Sequence, residues 1–292
     1  MDDIQLTFNK STTARISPGA GFCCVSWAVD GKEHLHLPLP EAEFIGTLKT
    51  GGVPLLYPFA NRLRSDPWPG REDVKRDDGV PCHGFLLRFS SWDDLEVESH
   101  RAVATLDWAN HEELMSLFPH AHRLRVTFEL GERSLEATTS IEANGGDDVP
   151  VSFGWHPYLT IPGMTHDDLE LVLPDLQQVQ LDGSGIPIRT SSGDLVLDAP
   201  SNVSGSLASR SFDNLYRLET PGSSVELRGG GSGIKMDLDS NWGFIQLYSP
   251  EEAAFAAIEP MTAPVAALSD SRDLRVVKAG DTFEATFKVS EV

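Results

Sequence analysis

The sequence is short of cysteine and short of positive charge. Its 292 residues contain three cysteines, and 23 Lys+Arg stand against 44 Asp+Glu, a formal net charge of -21. Cys23 and Cys24 are adjacent, Cys82 lies far away, and no CxxC is present, so a disulfide framework is not expected. The deficit of Lys and Arg argues against nucleic acid and anionic membrane surfaces as partners, because both need clustered cations. No apolar run approaches the roughly 18 residues of a membrane helix. The opening MDDIQLTFNK lacks the basic start and apolar stretch of a signal peptide. A reduced, cytoplasmic protein is the expectation.

Cofactor and metal motifs are missing as well. Gly229 to Gly231 is followed by no GK[ST], and no GxSxG occurs. Asp237, Asp239 and Asn241 imitate the start of a calcium loop, but the glycine falls one place late and Tyr248 stands where Glu is needed. HEELM at 111–115 lacks the second histidine of a zinc-protease helix, and the His120–His122 pair has no further ligand in sight. No metal and no cofactor are expected. Internal repeats, low-complexity tracts and linkers are also absent, which leaves residues 1–292 as a single domain.

Helical periodicity is equally scarce. HEELMSLF at 111–118 is the one short helix the pattern supports, acidic at its start as the helix dipole favours. Elsewhere short alternating runs recur, with turn signals every 8 to 12 residues or so. Asp30-Gly31 and Gly131-Glu132 each separate two such runs and predict tight hairpins. The spacing predicts an all-β fold, a large antiparallel β-sandwich. With 40% hydrophobic residues the chain can bury a substantial core.

Against that background Val151 to Ile161, VSFGWHPYLTI, stands out. Pro157 removes a backbone donor and pushes His156 out of helical geometry. The imidazole is held on stiff, extended backbone beside Trp155 and Tyr158, an arrangement suited to a polar ring ligand such as a sugar. A core-facing histidine at a strand end is the plain alternative. Farther along, Glu259 ends the apolar run AAFAAIE and precedes Pro260; a carboxylate there is costly without a partner or a task. The partner could be Arg62 or Arg64.

Four pieces in order, PFANRLRSDPW (58–68), HGFLLRF (83–89), GWHPY (154–158) and IEP (258–260), resemble the aldose 1-epimerase (galactose mutarotase) family. The resemblance implies a β-sandwich that interconverts the α and β anomers of free sugars without a cofactor. It implies His156 as general acid, Glu259 as general base, and Arg62 and His83 at substrate-binding positions. Asp213, in SFDNLYRL, resembles the family's aspartate that binds sugar hydroxyls; a turn-stabilising role ahead of Asn214 is the alternative. Asn61, beside Arg62, and Trp155, with Phe85 as a second ring that could stack on a sugar, complete the candidate set. The partner is then a small-molecule sugar, and the protein a monomer or homodimer.

Mutarotation protonates the ring oxygen while the anomeric hydroxyl loses its proton, so it needs an acid and a base, here expected on opposite sides of one carbon. Required as imidazolium and carboxylate, they give a bell-shaped pH profile with its acid limb from Glu259 and its alkaline limb from His156. Two alternatives remain open from the sequence. One is a hexose-6-phosphate epimerase of the same fold, with Arg64 and Arg88 as phosphate ligands. The other is a sugar-binding sandwich without turnover.

Overall fold

The computed structural model describes residues 2–251 and 253–292. Alternation of apolar and polar side chains builds two large antiparallel sheets. Nine strands form the first, in which Arg123–Gly131, Ser134–Glu142 and Thr282–Glu291 lie side by side. The second has seven strands and runs through Phe212–Leu218, Phe244–Ser249 and Ala256–Met261 to Gly154–Trp155 and Leu55–Leu56. A four-stranded sheet from Ile4–Phe8 to Lys32–Glu33 flanks them. Aromatic side chains fill the space between the large sheets. Trp155 of the seven-stranded sheet meets Phe128 and Phe287 of the nine-stranded one at ring-centroid distances of 5.4 and 5.8 Å.

The seven-stranded sheet is buried on both faces, and this is what positions the site. Successive side chains of a strand point to opposite faces. Phe212, Tyr216, Ile245, Leu247 and Ile258 join the main core. Leu215, Phe244 and Met261, on the other face, form a smaller apolar cluster with Leu56, Val179 and Ile186. Asp213, Gln246 and Glu259 share that second face by the same alternation. This is why AAIEPM is buried along its whole length.

The expected hairpin at Asp30-Gly31 is present. The second hairpin turns one residue later than expected: Gly131 still pairs with Ser134, so Glu132 and Arg133 make the turn, Arg133 with φ 55°. The expected helix spans Glu112–Leu117. Two more single-turn helices, Glu41–Phe44 and Ala267–Asp270, carry too few residues to show a period. Asp239 caps a turn through Asn241 N–H (2.7 Å) and Thr286 N–H (2.6 Å), which accounts for the calcium-loop mimic. The three cysteines are free and buried.

Behind the site, His122 is fully enclosed between Trp108 and Tyr57. Its Nδ1–H donates to the His120 carbonyl (2.6 Å), so Nε2 accepts from the Tyr57 hydroxyl (2.5 Å). Burial pushes the imidazole down from 6.5 to about 4. The unfolded chain therefore binds a proton that the folded chain refuses. The contribution of His122 is complete above pH 6.5 and is lost as pH falls toward 4; at about 1.4 kcal/mol per pH unit the loss is roughly 3 kcal/mol. Urea unfolding between pH 7 and 4 should show this decline, and His122→Gln should flatten its slope by about one proton.

Candidate active site

The site begins where a residue inside one strand meets a residue in the short break between two others. Glu259 lies in Ala256–Met261, directly opposite Gln246 of Phe244–Ser249. His156 sits between the short strands Gly154–Trp155 and Tyr158–Leu159, its backbone N–H tied to the Pro54 carbonyl at 3.1 Å. Those placements bring His156 Nε2 to 3.1 Å from Glu259 Oε1. The two residues are 4% and 2% exposed. Tyr158 stacks on the imidazole, with centroids 4.3 Å apart and planes 3° from parallel, and its hydroxyl lies 2.6 Å from Thr50 Oγ1. On the other side of Glu259, the Gln246 amide donates to Asp213 Oδ1 at 2.7 Å. Gln246 Oε1 and Glu259 Oε2 are both buried without a partner among the described residues.

The opposing wall comes from two loops clamped together. The Asn61 carbonyl accepts the His83 N–H at 2.9 Å, and the Asn61 N–H points at His83 Nδ1 at 3.3 Å. Both residues have left-handed backbone, φ 56° and 68°, a conformation that most side chains avoid. Gly84 (φ 70°) follows because a Cβ there would lie 2.0 Å from the Tyr57 carbonyl oxygen. With Nδ1 accepting, the neutral His83 ring carries its proton on Nε2. Its ring stands edge-on to His156, centroids 5.4 Å apart. Next to Asn61, the Arg62 guanidinium is held by Asp77 through Nε (3.1 Å) and Nη2.

Burial dominates the electrostatics. It pushes the Glu259 carboxyl well above its usual range; the Asp213 charge adds to this and Lys75 opposes it. Burial pushes His156 down, and the Lys75 charge acts in the same direction. His83 is held well below its ordinary value by burial, then by Lys75, His156 and Arg62. The pair His156–Glu259 is therefore favoured as neutral imidazole beside carboxylic acid, one proton between two groups. Burial also pushes the Cys82 thiol in the wall up to about 12, which removes it as a nucleophile at neutral pH.

Glu259, His156, His83, Asn61, Arg62 and Asp213 all line one cavity of about 510 Å³, within the range of small-molecule sites (about 300–1,000 Å³). Asp213 lies in a strand, and so does not serve the turn that was its alternative. Glu259 faces neither arginine offered as a structural partner: Arg62 is on Asp77 and Arg64 on Asp270. Trp155 is a correction. It is fully buried between the sheets and its Nε1 donates to Thr139 Oγ1 at 3.0 Å, because it alternates away from His156 into the core. Phe85 likewise packs edge-on against Phe59 and Trp68. Arg64 and Arg88 do not reach the cavity; Arg88 donates to the carbonyls of Phe44 (3.0 Å) and Lys49 (2.6 Å).

The cavity also takes in residues the motifs did not signal, among them Lys75, Gln246 and Tyr248. Alternation along FIQLYS places Gln246 and Tyr248 on one face, a signal legible once Glu259's neighbouring strand is known. Lys75 sits in a loop and carries no such signal. Among the described residues no group of three or more His, Cys, Asp or Glu comes together as a metal site.

The sequence profile of the aldose 1-epimerase family matches residues 2–290, and the chain belongs to that family. Among curated proteins it is similar to the plasmid-borne protein LacX of Lactococcus lactis subsp. lactis, 23% identical over 79% of this chain and 78% of the relative. Among solved structures, the Slr1438 protein of Synechocystis sp. PCC 6803 superposes with a TM-score of 0.77 at 20% identity, covering 99% of this chain and 95% of that one. A galactose mutarotase related enzyme from Lactobacillus acidophilus gives a TM-score of 0.74 at 19% identity, with 100% and 97% covered. The fold is the galactose mutarotase-like β-sandwich that these structures share.

One position tests how the wall is built. Gly185 has φ 74°, and a Cβ there would lie 2.3 Å from Arg62 Nη1, while Asp77 fixes the same guanidinium. Gly185→Ala should destabilise the fold by about 1–2 kcal/mol from backbone strain alone. Gly183→Ala, where a Cβ meets nothing within 4 Å, should cost less. Urea midpoints of the two variants check this.

Proposed function

We propose that this chain, as one domain, is an aldose 1-epimerase that interconverts the α and β anomers of an aldohexose without a cofactor. The observation that carries the reading is the buried His156–Glu259 pair, 3.1 Å apart at the wall of a polar cavity. Both oxygens that exchange protons in mutarotation are bonded to the anomeric carbon. A donor and an acceptor side by side therefore reach both, and placement on opposite sides of the carbon is not needed. One group protonates the ring oxygen as the other takes the anomeric proton; the ring opens, the carbonyl carbon rotates, and the steps reverse on the other face. The single proton of the pair suffices for a full cycle. His83 Nε2–H, Arg62, Asn61 and Asp213 hold the sugar hydroxyls around this pair.

The expected assignment of His156 as acid and Glu259 as base describes one arrangement of that proton; the neutral pair describes the other. The two are indistinguishable by pH profile, because a strongly coupled pair titrates as a unit. Activity needs the singly protonated pair. The kcat/KM profile should be a broad bell, rising as the doubly protonated pair loses its first proton in the range to which burial lowers His156. It should fall at high pH, where the proton kept by the raised Glu259 carboxyl is lost. A narrow bell with both limbs near ordinary carboxylate and imidazole values would contradict the shared proton.

Polarimetry on freshly dissolved α-glucose and α-galactose tests the activity. The protein should exceed the spontaneous rate, and Glu259→Gln should lower turnover by on the order of 10²–10⁴-fold with sugar affinity kept within a few-fold. A sugar-binding protein without turnover would leave the spontaneous rate unchanged, and a fully active Glu259→Gln variant would remove that residue from the chemistry.

A further inference from the structure

His156 lacks the support that most often aims an acid–base imidazole, a hydrogen bond from the far ring nitrogen to a carbonyl or carboxylate. Among the described residues its Nδ1 is buried with no partner in another residue, and Nε2 meets Glu259 at 3.1 Å. That single polar contact leaves the ring free to pivot. The restraint comes from packing on the ring's face. Pro157 holds His156 in extended backbone, so His156 and Tyr158, two residues apart, face the same side. Their rings stack with centroids 4.3 Å apart and planes 3° from parallel, while His83 meets the imidazole edge-on at 5.4 Å.

Tyr158 is held in turn. It is buried, its N–H donates to the Gly52 carbonyl at 2.8 Å, and its carbonyl accepts from the His36 N–H at 2.9 Å. Its hydroxyl lies 2.6 Å from Thr50 Oγ1 and 3.3 Å from His156 Nε2. Because the rings are parallel, the hydroxyl oxygen lies over the imidazole face, out of line with the Nε2 lone pair that meets Glu259. With the Tyr158 O–H donating to Thr50, that oxygen turns its lone pairs toward the ring. A partial negative charge over Nε2 favours a proton on the imidazole. Burial pushes the phenol well above its ordinary range, so it does not compete as a base. Thr50 belongs to the irregular segment between Glu41–Phe44 and Leu55–Leu56, far from His156 in sequence.

We propose that Thr50 and Tyr158 are positioning residues for the His156–Glu259 pair: Tyr158 holds the imidazole plane in line with the carboxyl, and Thr50 fixes the Tyr158 hydroxyl so that its oxygen supports a proton on His156. The proposal rests on the epimerase reading of the cavity. The other ionisable groups around the imidazole are Glu259, His83 and Tyr248, with the Lys75 charge nearby, and Asp213 acts on Glu259. Among the described residues none of these shares a hydrogen bond with Thr50.

The test compares Thr50→Val, Tyr158→Phe, their double variant and Tyr158→Leu by polarimetry on α-glucose and α-galactose. The first two keep the stack and remove the hydrogen bond; each should lower kcat about 2–10-fold with KM held within about two-fold. Both act through one bond, so the double variant should be no slower than either. In all three the acid limb of the pH profile should move to lower pH, because the imidazolium loses the oxygen's support. Tyr158→Leu, which frees the ring, should cost on the order of 10²-fold in kcat. The hydroxyl-removing variants decide the proposal whether or not Tyr158→Leu folds. A raised KM with kcat and acid limb unchanged would assign both residues to sugar binding and overturn the proposal, as would additive losses in the double variant. Nitrogen-15 NMR titration of His156 needs no turnover, and protonation should shift to lower pH in Thr50→Val and Tyr158→Phe. An unshifted titration overturns the proposal. If no sugar exceeds its spontaneous rate while the titration shifts, the epimerase reading fails and the support of His156 by Thr50 and Tyr158 stands.

Discussion

A carboxyl group buried on a sheet face, with no arginine against it, is the constraint around which this protein is arranged. Glu259 is 2% exposed, and among the described residues its Oε2 has no partner. An ionised carboxylate in such a place costs several kcal/mol unless it is paired, so burial favours the acid form. The group within reach is His156, itself too buried to hold a charge easily. In the epimerase reading proposed above, a proton passing between these two desolvated groups is what acid–base chemistry at a single carbon requires.

Keeping such a pair aligned requires support from outside the sheet. The Asn61–His83 clamp adopts left-handed backbone at both residues, and Gly84 lets it press against Tyr57. Tyr57 is anchored in turn by His122, whose tautomer is set by the His120 carbonyl. On the sheet side, Gln246 bridges toward Asp213 and holds that carboxylate at the cavity rim. Strained loops are thus packed onto a rigid sheet, a division that places the polar groups without loosening the core.

Much of this was legible in the sequence, for identifiable reasons. Alternation and turn residues marked the strands, because a half-buried strand must alternate whatever its partners. The missed pieces have no local signature. The hairpin after Gly131 turns one residue late because register, set by Arg123–Gly131 against Ser134–Glu142, decides where the turn falls. Trp155 adjoins His156 in sequence yet faces the other way, since neighbours on a strand point to opposite faces. Arg64 and Arg88 lie beside motif residues but are drawn to Asp270 and to backbone carbonyls. Lys75 reaches the cavity only because a loop far from His156 in sequence folds over it, a placement that no local pattern encodes.

The protonation state of the proposed His156–Glu259 pair is open to direct observation. Difference infrared spectra of the protein at pH 7 against Glu259→Gln should show the carbonyl stretch of a protonated carboxylic acid, lost in the variant. Nitrogen-15 shifts of His156 should be those of a neutral imidazole. A carboxylate band for Glu259 together with imidazolium shifts at His156 would contradict the neutral pair and return the charged acid–base assignment.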